Sequence, residues 1–149
     1  MAEDLKTTHF ASPSTLVAAS TEKLDSSKEL ALTAARAADD RKGADIVLLR
    51  VVDISYLADY FVLITGFSRV QVRAIAQAIE AQVSQECDRL PLRVAGQSEG
   101  SWILQDYGDA IIHIFMPQER DFYNLEAFWG HAERIQFSPP KLLGDQKIG

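Results

Sequence analysis

One cysteine, Cys87, stands in the 149-residue chain, which excludes an internal disulfide and fits a reducing compartment. Histidine is almost as scarce: His9, His113 and His131 are the three, and no two have the spacing of zinc ligands, so no metal site is expected. No apolar run approaches the roughly 18 residues that a membrane helix needs. The opening Met1-Ala2-Glu3-Asp4 lacks a basic region followed by an apolar stretch, so no signal peptide is expected. The Ser/Thr-rich segment up to Thr21 has something of a transit peptide, but its early acids argue against one. A bacterial-type cytoplasmic setting is the expectation, with an organellar one left open. An excess of positive charge is also missing: 15 Lys and Arg face 21 Asp and Glu, a net charge of −6. Such a chain does not neutralise phosphates in bulk, so strong direct nucleic-acid binding is not expected, whereas docking on a basic protein is compatible with it.

What is present fits one domain with one substantial core, since the hydrophobic fraction of 47% is the ordinary globular value. Residues 1–25 are rich in Ser, Thr and Ala and lack hydrophobic periodicity, which predicts a flexible tail. Residues 138–149 contain Pro139-Pro140 and predict a second one, leaving 26–137 as the domain. Ser26 and Glu29 have capping-box spacing, and Gly43 sits where the helix between them would stop. Ile46 to Val52 and Tyr60 to Thr65 are near-continuous apolar runs, as in central strands covered on both faces. Ser68 and Gln71 form another capping box, and Val72, Ile75, Ala76, Ile79 and Val83 make one apolar helical stripe. Leu90, Leu92 and Val94 alternate with Pro91 and Arg93, which suggests an edge strand. Trp102 to Gln105 and Ala110 to Met116 predict a hairpin around Asp106-Tyr107-Gly108-Asp109, and Pro117 stops its second strand. Arg120 to about Ala132 reads as a last helix with Phe122, Leu125, Phe128 and Trp129 toward the core. The order α-β-β-α-β-β-β-α predicts an α/β or α+β domain, a mixed sheet of about five strands with flanking helices.

Few constellations carry chemistry. Gly66-Phe67-Ser68 follows a strand and opens a helix, a place where nucleotidyltransferases hold a phosphate on backbone amides. Those enzymes then need paired carboxylates to hold two metal ions, and residues 69–79 contain neither Asp nor Glu. Glu80 stands alone, so the turn reads as a helix cap. His113 lies between Ile112 and Ile114, with Asp106 and Asp109 near in sequence but no evident nucleophile, and fits a hydrogen-bonder in a sheet better than a catalyst. Arg120, Tyr123 and Glu126 recur at three-residue spacing, as solvated or structural groups do on a helix. Asp53, Ser55, Asp59 and Tyr60 surround a strand connection and suit a turn. Alternation puts Trp102, Leu104 and Asp106 on one strand face and Ile103 and Gln105 on the other. Spacing leaves open whether Trp102 is a core residue or an interface anchor.

Read in order, these pieces carry a resemblance. Asp53-Ile54-Ser55, Asp59 to Gly66, Ser68 with Gln71-Val72, Glu99-Gly100, Trp102, Asp106 to Asp109, His113-Ile114-Phe115, Arg120, Tyr123, Leu125-Glu126 and Trp129 together resemble the Iojap-like ribosomal silencing factor family. The resemblance spans about Ser26 to Ala132; Gln105 departs from it at a strand position that is usually apolar. It implies a nucleotidyltransferase-like fold without a catalytic site and without a cofactor. It further implies binding to ribosomal protein fourteen of the large subunit, at the face where the small subunit must dock. Occupying that face blocks subunit joining and lowers translation when nutrients are scarce. A role in large-subunit assembly is the alternative, with a nucleotidyltransferase-like nucleotide-binding enzyme as a more remote one, and some members are homodimers when free. The family's partner-binding surface would carry over to Trp102, Leu104, Asp106, Tyr107, Asp109 and His113.

Overall fold

The structure, a computed structural model, describes residues 13–138, with side chains described from residue 21. Helix α1 (Pro13–Asp40) leads into β1 (Ala44–Arg50) and β2 (Tyr60–Thr65). Helix α2 (Arg69–Cys87) precedes β3 (Arg93–Ala95), β4 (Trp102–Asp106) and β5 (Ala110–Phe115). Two short helices, α3 (Pro117–Tyr123) and α4 (Leu125–Phe128), and strand β6 (Glu133–Ile135) complete it. The sheet runs β3-β4-β5-β2-β1-β6. Only the central β2–β5 pair among the described strands is parallel; the other neighbours are antiparallel. The mixed α/β class expected from the sequence is therefore correct, with six strands.

The two long helices cover one face of the sheet. The stripe Val72, Ile75, Ala76, Ile79 and Val83 of α2 is buried as its spacing requires. In α1, Leu30, Ala31, Ala34, Ala35 and Ala38 are buried, and a row of methyl groups lets that helix lie close to its neighbours. Beneath them sit Leu48, Val62, Ile64, Ile103, Ile112 and Ile114. Strand β2 is buried at every position, since it has a strand on each side and cover above and below. The α2 cap ties the two helices together. Ser68 Oγ accepts from the Gln71 N–H at 3.0 Å, Gln71 Oε1 accepts from the Phe67 N–H at 2.8 Å, and Gln71 Nε2 donates to the carbonyls of Arg41 and Lys42 at the end of α1.

Several expectations need correction. The first helix does not begin at Ser26: it starts at Pro13, a residue well suited to a first helical position, inside the segment read as a tail. Ser26 is exposed in mid-helix, and Ser27 is buried, its hydroxyl 3.1 Å from the Lys23 and Leu24 carbonyls and from Asp59 Oδ2. The rest of the expected tails, residues 1–12 and 139–149, lies outside the described residues. The last helix is not continuous. Asn124 adopts the left-handed conformation at φ +46° and splits it into α3 and α4, so that Phe122 and Phe128 face solvent while Leu125 and Trp129 face the sheet. Strand β6 was not expected; it covers the outer edge of β1 over three residues. The edge strand β3 is shorter than the alternation suggested, and Leu90 and Leu92 are exposed.

Candidate partner-docking face

The second sheet face carries a smaller core and a gap. Leu49, Val51, Phe61, Leu63 and Phe115 are buried there, with Leu125, Trp129 and Ala132 packed against them. That cover stops short of β3, β4 and the near end of β5. Register defines what remains on this face: Arg93 pairs with Asp106 and Asp106 with Ile111, Ala95 with Leu104 and Leu104 with His113, and Trp102 with Phe115. The expected alternation of β4 holds, for Ile103 and Gln105 are buried on the helix side. There Gln105 Nε2 donates to the Ala76 carbonyl at 2.9 Å and to Glu80 Oε2 at 3.2 Å, which accommodates a polar side chain in the core. Leu57, Arg93, Ala95, Leu104, Asp106 and Ile111 line an open groove of about 590 Å³.

Trp102 is half-buried at one end of this face, where β4 begins. Its indole Nε1–H donates to His113 Nδ1 at 3.2 Å, and its ring centroid lies 5.4 Å from that of Phe115 and 4.8 Å from that of Tyr123. Accepting at Nδ1 places the proton of neutral His113 on Nε2. The imidazole is 6% exposed, edge-on to Phe61, and burial without a counter-charge pushes its pKa down to about 4. A neutral, aromatic-lined histidine holding a tryptophan is a positioning device; neither carboxylate of the turn bonds to it.

Those two carboxylates hold the hairpin. Asp106 accepts from Arg93 Nη2 at 2.8 Å and from the Gly108 N–H at 2.8 Å. Burial alone would raise its pKa, but these two bonds and the Arg93 charge together hold it below the ordinary carboxylate value. Gly108 takes φ +91°, which the turn demands. Asp109 accepts from Arg89 at 2.9 and 3.3 Å, and its carbonyl accepts from the Asp59 and Tyr60 N–H groups, stapling the turn to the start of β2. Gly96 shapes the start of β4, since a Cβ there would lie 1.9 Å from the Trp102 carbonyl oxygen.

Of the six residues carried over by resemblance, Trp102, Leu104, Asp106 and His113 share this face. Asp109 is turned into the Arg89 pair. Tyr107 is corrected: it is 1% exposed, in the core on the helix side, and cannot present its ring to a partner. Sequence reasoning did not find Ile111, Arg93 or Leu57. Cross-strand register selects the first two, since Arg93 of β3 and Ile111 of β5 both pair with Asp106. Leu57 belongs to the segment between β1 and β2, where Ile54, Tyr56 and Leu57 are all exposed; three bulky apolar residues in an aperiodic connection were the available signal.

The Gly66-Phe67-Ser68 turn caps α2, and Phe67 and Thr65 line a separate groove of about 420 Å³ with Arg120. The N–H groups of Phe67, Gln71 and Val72 are already bonded to Gln71 Oε1, Ser68 Oγ and the Ser68 carbonyl. Among the described residues no group of three His, Cys, Asp or Glu is placed to hold a metal ion. Nearby Arg120 is buried and fully engaged, donating to Thr65 Oγ1 at 2.8 Å and to both Glu126 oxygens at 3.0 Å. No described helix is long and apolar enough to cross a membrane.

A mixed α/β domain, packed by helices on one sheet face and left partly open on the other, is the class this architecture defines. The family described as ribosomal silencing factor during starvation matches residues 24–147, and the chain belongs to it. It is 39% identical to the ribosomal silencing factor of Halalkalibacterium halodurans over 111 residues, 74% of this chain and 94% of that one. It is 36% identical to the chloroplastic Iojap protein of Zea mays over 107 residues, 71% of this chain and 46% of that longer one. The crystal structure of a Chromobacterium violaceum protein superposes with a TM-score of 0.66 at 30% identity, covering 78% of this chain and 91% of that one.

Proposed function

We propose that this chain represses translation by seating the open face of its sheet on ribosomal protein fourteen of the large subunit, chiefly under nutrient limitation. The small subunit must dock on that same surface. Two bodies cannot occupy one surface, so inhibition follows occupancy and requires no chemistry. The observation that carries this reading is the strip Trp102, Leu104 and Ile111, which remains partly uncovered while two helices pack the opposite face of the sheet. A Trp beside aliphatic neighbours is the usual makeup of an interface hot spot. Membership of a family named for ribosome silencing supports the ribosome as the target, and the acidic balance of the chain suits a basic ribosomal protein.

Co-sedimentation of the chain with purified ribosomal subunits tests it. The chain is expected to travel with large subunits alone, and Trp102→Ala to weaken that association about thirty-fold. Trp102 also packs on Phe115 and Tyr123, so thermal melting of the variant is measured alongside. Binding that survives Trp102→Ala in a folded protein would move the contact off this face.

A further inference from the structure

The groove of about 480 Å³ beside Trp102 differs in makeup from the rest of the open face. Three rings, Trp102, Phe122 and Tyr123, line it together with two carboxylates, Glu99 and Glu119. Helix geometry brings most of these together: Glu119, Phe122 and Tyr123 stand three and four residues apart on α3, on one side, while Arg120 turns inward to Thr65. Phe122 and Tyr123 meet edge-on at 4.9 Å, and both are more than half exposed. Glu99 comes from the loop before β4. That loop is clamped to α2, because Arg73 donates to the carbonyls of Gln97 at 3.1 Å and Ser98 at 2.8 Å.

Charge separates this groove from its surroundings. Asp106, Asp109 and Glu126 each have an arginine partner. Among the described residues Glu99 and Glu119 have none. An apolar group filling the groove would cover two carboxylates without compensating them. A cation satisfies both features at once, since aromatic rings and carboxylates each attract it. We propose that this groove receives one basic side chain, lysine or arginine, from the protein surface on which the chain docks. The inference rests on the docking reading above and names the charged contact within it. It gives an apolar strip one polar peg, which fixes the register of docking.

The test uses full-length chain and purified large subunits, with binding measured across salt concentrations. Glu99→Gln with Glu119→Gln keeps shape and removes both charges. The double variant is expected to bind about tenfold more weakly and with a flatter salt dependence. Carbodiimide treatment of the wild-type complex identifies the base: a Glu99 or Glu119 cross-link to a ribosomal protein assigns lysine, and no cross-link with the charge effect retained assigns arginine. Unchanged affinity and salt slope in the double variant overturn the proposal. Leu104→Arg, which alters the other groove of the face and not the one the carboxylates line, separates the two failures. If it abolishes binding while the double variant does not, the docking face stands and the basic peg is wrong; if neither variant matters, the face itself is wrong.

Discussion

His113 and Trp102 act as one unit. The indole of Trp102 lies where it does because a neutral imidazole accepts its N–H, and the imidazole stays neutral because rings surround it. This has a pH signature. The folded pKa is near 4 against an ordinary 6.5, so between those values the unfolded chain binds a proton that the folded chain refuses. Stability from this group is therefore intact above about pH 6.5 and is lost as pH falls toward 4, a total on the order of 3 kcal/mol. Urea unfolding of wild type and His113→Gln from pH 7 to 4 isolates it, since other acids titrate equally in both. The wild-type advantage is expected to shrink by about that amount; parallel curves would place a counter-charge or water beside the imidazole. The sequence showed this pair only as a Trp and a His eleven residues apart. Alternation put Trp102 on its face, but contact between the rings needed the hairpin register, which pairs Leu104 with His113 and Trp102 with Phe115.

Elements were legible where burial imposes a pattern. Strand β2 declared itself by five consecutive apolar residues, Tyr60 to Ile64, and α2 by a stripe at helical spacing capped by Ser68. The segment after Pro117 misled because an aromatic period of three or four says that residues share a side, not which side faces the sheet. Asn124 decides that by breaking the helix, and one asparagine in an otherwise helical run is a weak signal. Helix α1 began earlier than expected because residues 13–25 are compatible with helix yet show no apolar stripe, and β6 is too short for any period. Arg120 holds this segment to the sheet. Its bonds to Glu126 keep that carboxyl below its ordinary pKa, and its bond to Thr65 anchors α3 beside β2. Arg120→Met should cost about 2–4 kcal/mol in chemical denaturation, because it leaves a half-buried Glu126 without its partner. Glu126→Gln should cost less. A near-neutral Arg120→Met would mean that the segment is held by Leu125 and Trp129 alone.

At the scale of the whole molecule, an asymmetric sheet is the working feature. One face is sealed by two long helices; the other is sealed over β1, β2 and the far end of β5, leaving an aromatic and aliphatic strip beside two carboxylates that have no ion-pair partner among the described residues. Family membership was legible in the ordered motifs, because those motifs are mostly the turn, cap and strand residues that build this asymmetry. Which side chains stay accessible was not, and Tyr107 illustrates it: it lies within the family signature yet points into the core. Steric exclusion from this face is most directly measured by light scattering as small subunits are mixed with large subunits that have been preincubated with the chain. Wild type should lower the joining amplitude in proportion to its occupancy, and folded Leu104→Arg should leave joining unaffected. Full joining by large subunits saturated with wild type, or equal inhibition by folded Leu104→Arg, would contradict exclusion by this face.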